Sequence, residues 1–355
     1  VRVVVAPDKF RGTVSAIDAA GALAEGLEAA GHEALRVPMA DGGEGTLDAL
    51  GGPNRTTVVS GPLGDPVDAA WRLSGRRAVI EMARASGLDL VGGAEGNDAV
   101  AASTFGTGEL VTAALDAGAR DIVVGVGGSA TTDGGLGALR ALFPLHRLRG
   151  VDMVVACDVR LGFLDAARVF AVQKGASPAE VDLLERRLER LAQMYEEEYG
   201  LDVRPLEGGG AAGGLAGGLA CVGARLVSGV ELVAEQSGLE EAIESADAVV
   251  TGEGHLDSES FDGKVVGGVV ELARSSGVPV VAVVGDLDDD VASRVPSVSL
   301  MRRFGRDRAL GDTASCLRDS AVEVLELLGR QAGGSQERVE RGQTPATIEG
   351  ERLRR

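Results

Sequence analysis

The sequence predicts a soluble α/β protein, and three observations carry that reading. A β-branched run, Val1–Ala6, leads through a charged loop into a segment of helical apolar period, and the same strand–loop–helix rhythm returns near residue 245. Residues 54–82 break that rhythm. There the short runs Arg55–Ser60, Ala69–Leu73 and Arg77–Met82 are separated by Gly-Pro, Gly-Asp-Pro and Ser-Gly turn signals, the pattern of an antiparallel meander. Finally, 355 residues with 45% hydrophobic content and 53 glycines suit two domains or one large one. A domain boundary is expected near residue 60.

Charge narrows the function classes. A net charge of −19 argues against nucleic acid and anionic membrane as partners. No apolar run reaches the length of a membrane span, and Val1–Ala6 reads as a strand rather than a targeting segment. Cys157, Cys221 and Cys316 are scattered without metal spacing, as expected of a reducing cytoplasm. His32, His146 and His255 are too dispersed for a triad or a zinc site.

Taken in order, the first unit is a buried strand at Val1–Ala6, the loop Pro7–Gly12, and a helix capped by Ser15 with Asp18 in its first turn. Open α/β sheets collect ligands at the carboxyl ends of their strands, which makes Asp8, Lys9 and Arg11 candidate site residues. A second strand, Ala34–Pro38, runs into Met39–Thr46, where Asp41 and Glu44 sit among glycines ahead of a helix. Two carboxylates there suit magnesium or a substrate hydroxyl; a solvated turn with a helix cap fits as well. After the meander, the turn Ser103–Gly108 precedes a helix at Glu109–Ala117, so Ser103, Thr104 and Thr107 either bond a ligand or cap that helix.

The strand Asp121–Val126 feeds a loop of glycines and hydroxyls, Gly127-Gly128-Ser129-Ala130-Thr131-Thr132-Asp133-Gly134-Gly135, and then a helix. Glycines let backbone N–H groups turn onto a ligand, and a following helix N-terminus favours negative charge, so the arrangement suits an anion. Asp133 adds a carboxylate able to hold a metal or accept a proton. The motif is neither a Walker loop nor GxGxxG, and a plain capped glycine turn is its structural alternative. Asp152–Asp158 follows as a buried strand, Pro178–Glu198 as a charged helix, and Glu207–Leu219 as a glycine-rich loop entering a small-residue helix. Further strands are expected at Ala248–Thr251, Val278–Val284 and Val298–Met301, with helices at Val265–Arg274 and about Thr313–Leu328. Gln331–Arg355 is polar and aperiodic, the composition of a disordered tail.

Basic residues are nearly all arginine. The three lysines, Lys9, Lys174 and Lys264, each lie in a glycine-flanked or loop-like segment, where either a compact ammonium is required or lysine has survived by chance.

Assembled, these segments resemble the bacterial glycerate kinase family, the two-domain kind that includes glycerate 2-kinases. The resemblance rests on Ala6–Gly12, Ala40–Thr46, Gly61-Pro62-Leu63-Gly64, Glu81-Met82-Ala83, Gly106–Leu110 and Gly127–Thr131. It continues through Ala156-Cys157-Asp158-Val159, Gln173-Lys174-Gly175-Ala176, Gly210–Gly214 and Thr251-Gly252-Glu253-Gly254, covering the chain to about residue 328. Against the family pattern, Arg11 stands where lysine is frequent, Thr132 replaces asparagine, and Ala171-Val172 replaces Gly-Pro. The segments 143–150 and 159–169 are shortened.

The resemblance implies ATP-dependent phosphorylation of D-glycerate with magnesium, the product expected being 2-phosphoglycerate. It also implies a flavodoxin-like domain built from both chain ends, 1–60 and 245–328, an inserted mixed-sheet domain at 61–244, and a disordered tail at 329–355. On that basis the backbone of Gly127, Gly128, Ser129 and Thr131 is expected at the ATP phosphates, with Lys174 or Lys264 neutralising charge. Asp8, Lys9 and Arg11 fall on the substrate side with Ser103, Thr104 and Lys264. Asp41, Glu44, Asp133 and Glu253 are the remaining catalytic candidates, Asp41 and Asp133 being the metal candidates. Asp8, Asp41, Gly128, Asp133 and Glu253 are expected on one face of an interdomain cleft. A non-catalytic homologue that binds a small anion, or a kinase for a related sugar acid, are the alternatives.

Overall fold

The computed structural model describes residues 1–340, with side chains described to Gln331. In chain order its strands are β1 (Arg2–Pro7), β2 (Glu33–Arg36), β3 (Arg55–Ser60), β4 (Pro66–Ser74), β5 (Arg77–Glu81), β6 (Asp121–Gly125), β7 (Asp152–Ala156), β8 (Arg225–Val227), β9 (Ala248–Leu256), β10 (Val280–Leu287) and β11 (Ser297–Ser299).

They form two sheets. The first has the order β11-β10-β9-β1-β2 with every pairing parallel. Counted along its own strands this is the 2-1-3-4-5 order of the flavodoxin-like fold, assembled from both ends of the chain. Its inner strands β1, β9 and β10 are largely buried on both faces, which is why they read as Val-rich runs, whereas the edge strand β2 is partly exposed. One face is covered by the helix Ala16–Ala29 together with Thr313–Asp319 and the start of Ala321–Glu340. The other is covered by Gly229–Ser237, Leu239–Glu244 and Val265–Ser275. Ser15 caps the first helix as expected, its hydroxyl accepting from the Asp18 N–H at 3.1 Å.

The second sheet has the order β3-β4-β5-β6-β7-β8. The meander β3–β5 is antiparallel, and β5–β8 are parallel. Its strands extend from Arg55 to Val227, so the change of sheet falls ahead of Arg55 rather than at residue 60. At the far end, the helices between Gly229 and Glu244 pack into the first sheet's core, although sequence reasoning puts them in the inserted part.

Three further differences have physical causes. β9 runs on through Gly252–Leu256, where a loop is expected, because β10 supplies a parallel partner as far as Leu256↔Leu287. The glycine-rich segment forms the helix Ala211–Ala220, but Ala212, Gly213 and Gly214 are left-handed (φ 52, 66 and 90). There the chain passes so close to the 131–134 loop that a Cβ on Gly213 would lie 2.6 Å from Thr132 Cα. The last helix, Ala321–Glu340, continues through residues 329–340, where the sequence predicts disorder; residues 341–355 lie outside the described residues.

Candidate active site

The strand order of the first sheet reverses between β1 and β9, and a doubly wound sheet opens a crevice at such a point. Asp8 leaves the end of β1 and Glu253 lies on β9. The two chains are tied there by the Asp8 N–H donating to Gly252 O at 2.8 Å. Burial pushes the Asp8 carboxyl up to about 6; Lys9 opposes that rise and the charge of Asp41 adds to it. Burial likewise raises Glu253 to about 7, with the Ser260 hydroxyl opposing and the charge of Asp8 adding. Glu253 Oε1 is buried and has no hydrogen-bond partner among the described residues. These are carboxyl groups poised to exchange a proton near neutral pH.

The loop after β2 brings the next groups. Lys9 Nζ donates to Glu44 O at 2.8 Å and stands 3.8 Å from Asp41 Oδ1, while Asp41 Oδ1 accepts from the Gly43 N–H at 3.1 Å. This loop belongs to the first sheet by sequence but rests on the second. A Cβ on Gly42, where φ is 83°, would lie 2.6 Å from Ala156 O at the end of β7. The loop is therefore clamped against the carboxyl ends of β6 and β7, and the ligand ends of both sheets face one another.

From the second sheet comes the loop after β6. Gly128 is exposed and left-handed (φ 64), next to the Glu44 carboxylate: a Cβ on Gly128 would lie 3.5 Å from Glu44 Oε1. The N–H groups of Gly127, Gly128 and Ser129 have no hydrogen-bond partner among the described residues. Successive free N–H groups at a left-handed glycine form a concavity suited to an anion. A cleft of about 390 Å3 opens beside them, lined by Lys9, Ser15, Glu44, Glu81, Arg84 and Asp89 among others.

Asp8, Lys9, Asp41, Glu44 and Glu253 thus come together with Gly127, Gly128 and Ser129. Arg11 is exposed beside Asp8, with no hydrogen bond or ion pair among the described residues. Lys264 acts on Glu253 electrostatically and pairs with Glu259 at 3.1 Å.

The other candidates lie elsewhere. Asp133 accepts from the Thr104 N–H at 2.9 Å, the Gly135 and Gly137 N–H groups at 3.1 Å each, the Thr104 hydroxyl at 2.9 Å, and the Ser103 hydroxyl at 3.4 Å. So many donors use up the carboxylate's acceptor capacity, and the group joins two helix N-termini instead of facing a metal or proton. Ser103 and Thr104 are engaged in the same knot, and Thr104 is fully buried. Lys174 is only 3% exposed, and its ammonium donates to Thr131 O at 2.6 Å. Burial lowers it to about 7, against the pull of Asp133. None of Ser103, Thr104, Thr131, Asp133 and Lys174 presents a free charged or polar group to the cleft.

Sequence reasoning misses two groups that shape the site. Asp158 accepts from Ser228 Oγ and the Gly229 N–H at 2.9 Å each, capping a first-sheet helix from the exit of β7; burial raises it to about 6. Glu81, at the end of β5 and 2% exposed, accepts from the N–H groups of Gly45 and Leu47 at 2.9 Å each. A charged residue closing the apolar run Val79-Ile80 is itself a signal, because a buried carboxylate must find donors.

A family model described as the glycerate kinase family matches residues 3–143 and 145–331. The chain is 40% identical over 331 residues to glycerate 2-kinase of Escherichia coli K12, covering 82% of this chain and 87% of that protein. It is 41% identical over 325 residues to glycerate kinase of Halalkalibacterium halodurans, covering 80% and 85%. A crystal structure of a candidate glycerate kinase 2 from Salmonella typhimurium LT2 superposes with a TM-score of 0.77 at 33% identity, covering 94% of this chain and 99% of that one. With the family match running through both sheets and every site loop, the chain belongs to the glycerate kinase family.

Proposed function

We propose that the protein transfers the γ-phosphoryl group of ATP to D-glycerate, giving 2-phosphoglycerate, with Mg2+ and in the cytoplasm. One observation carries the reading. Two half-buried carboxyl groups with raised pKa values, Asp8 and Glu253, share a crevice with Lys9, whose ammonium reaches Glu44 O in the loop that packs against Gly127 and Gly128, where the backbone N–H groups are free. Phosphoryl transfer asks a protein for little covalent chemistry; it needs a proton acceptor, charge neutralisation and positioning.

Each requirement has a residue. Glu253, raised to about 7, accepts the substrate hydroxyl proton, and the neighbouring charge of Asp8 increases its basicity. The Gly127–Ser129 backbone receives phosphate oxygens. Arg11, without an ion-pair partner, is free to clamp the substrate carboxylate with its planar fork. Lys9 offsets negative charge between Asp41 and the incoming phosphates.

The donor set fits magnesium. Among the described residues no three His, Cys, Asp or Glu side chains form a ready-made metal site. Mg2+ takes one or two carboxylates and completes its shell with water and phosphate, and Asp41 offers such a carboxylate beside Lys9. When bound, Mg2+ supplies neutralisation of the nucleotide phosphates. The cysteines are free, in keeping with a reducing compartment, and no helix among the described residues is long and apolar enough to cross a membrane.

The test is ADP release followed with and without D-glycerate, with the product identified by phosphorus NMR. Glycerate-dependent release with a phosphate on the 2-hydroxyl is expected. Release that ignores glycerate refutes the reading. Glycerate binding without release makes the protein a non-catalytic homologue, and turnover only with another sugar acid changes the substrate.

A further inference from the structure

Lys174 is a buried lysine that the proposed chemistry does not use. It ends the short turn Val172–Lys174, is 3% exposed, and its ammonium donates to Thr131 O at 2.6 Å from beneath the loop. Asn97 makes a second tie between the same two elements. Its amide nitrogen donates to Ala130 O at 3.0 Å and to Lys174 O at 2.8 Å. A third loop carbonyl, Gly128 O, is held by the Leu88 N–H at 2.8 Å.

These ties set the direction of the N–H groups. In a planar trans peptide the C=O and the following N–H point to opposite sides. Anchoring Gly128 O through Leu88 therefore fixes the Ser129 N–H, which has no partner among the described residues, while the ties of Asn97 to Ala130 O and of Lys174 to Thr131 O fix the buried peptide planes that follow it, those of Thr131 and Thr132. The layer beneath the loop is not built for stability. Asn97 Oδ1, Thr131 Oγ1 and Thr132 Oγ1 are all buried without partners, and a buried ammonium is costlier still than an apolar filler.

We propose that Lys174 and Asn97 are positioning residues. They hold the carbonyls of Ala130 and Thr131 inward and so brace the buried end of the loop whose free N–H groups, at Gly127–Ser129, are presented to the phosphates of the nucleotide. The proposal rests on the reading of that loop as the nucleotide site. Lys174 itself touches no phosphate.

The test uses the full chain and two near-isosteric variants, Lys174→Met and Asn97→Leu, which leave the carbonyls unpaired. Amide hydrogen exchange of the 126–134 segment is read without ligand, Mg2+-ATP affinity by calorimetry, and the KM for D-glycerate by turnover. Each variant is expected to exchange about tenfold faster in that segment and to bind Mg2+-ATP about tenfold more weakly, since each removes one hydrogen bond to a carbonyl of that segment, Asn97→Leu also freeing Lys174 O. The KM for glycerate should stay within about twofold, and the double variant should lose less than the product of the singles because both act on one strip. Unchanged exchange and unchanged nucleotide affinity overturn the proposal. So does an equal rise in both substrates' constants, the mark of a purely structural role, or a collapse of kcat at unchanged nucleotide affinity. Faster exchange in the variants of a wild type that binds no Mg2+-ATP upholds the brace and refutes instead the nucleotide reading of the loop. If Lys174→Met does not fold, Asn97→Leu carries the same comparison.

Discussion

Replacing Glu253 by glutamine should make the protein more stable and almost inactive. The carboxyl is raised from 4.5 to about 7, chiefly by burial. Between those values the folded protein holds a proton that the unfolded chain has released, so this group's contribution is complete below pH 4.5 and is lost as pH rises through 7. At 1.36 kcal/mol per pH unit, the difference amounts to about 3 kcal/mol at pH 8.5. Glutamine removes the charge and keeps the shape, and the missing partner at Oε1 is common to both side chains. Urea unfolding of the ligand-free protein at pH 8.5 should show Glu253→Gln more stable by about 3 kcal/mol, with a melting temperature about 4 °C higher. At pH 4 the two proteins should coincide. Turnover should fall at least about a hundredfold, the usual range for a lost general base. A variant no more stable than wild type at pH 8.5 would show that the carboxylate is comfortable where it lies. A stabilised variant with full activity would remove Glu253 from the chemistry.

Three more outcomes are expected. Asp133→Asn turns an amide N–H₂ toward donors that need an acceptor, and should lower stability by about 3 kcal/mol in a denaturant titration, with no recovery of activity in excess Mg2+. Recovery by metal would restore Asp133 as a ligand. Gly42→Ala meets Ala156 O at 2.6 Å in a left-handed conformation, so the Asp41–Glu44 loop must move; turnover should drop with the melting temperature, and an unaffected rate would show that the clamp is unimportant. Arg11→Ala should raise the KM for glycerate about tenfold to a hundredfold while Mg2+-ATP affinity holds. A shift in nucleotide affinity alone would move Arg11 to the other substrate.

What the sequence shows clearly is whatever depends on near neighbours. The β1 unit, the meander and the helix Pro178–Tyr199 follow from local period, and the Ser15 cap is legible as well. The proximity of Asp8 and Glu253 is also legible, because both stand at strand ends and strand order decides which ends meet. The direction in which a loop side chain points is not. Asp133 and Lys174 sit beside the glycines of the 127–135 loop, yet both turn inward: helix N-termini on either side supply Asp133 with donors, and the Thr131 carbonyl draws the lysine under the loop. Asp158 is seen as a strand exit and no more, since its partners Ser228 and Gly229 lie 70 and 71 residues away.

The lysines show how far chemistry at a single position can be separated from its neighbourhood. Their retention in an arginine-rich chain suggests a common need for a compact ammonium, but their surroundings differ. Lys9 stands 3.8 Å from Asp41 in the crevice, and Lys264 lies at the surface against Glu259. Only Lys174 is buried, lowered to about 7. A guanidinium cannot release its proton in a protein, so an arginine there would carry its charge into the interior at every pH. A lysine sheds the charge when burial demands it and still donates to Thr131 O from the neutral amine. At position 174, then, burial rather than contact with phosphate is what excludes arginine.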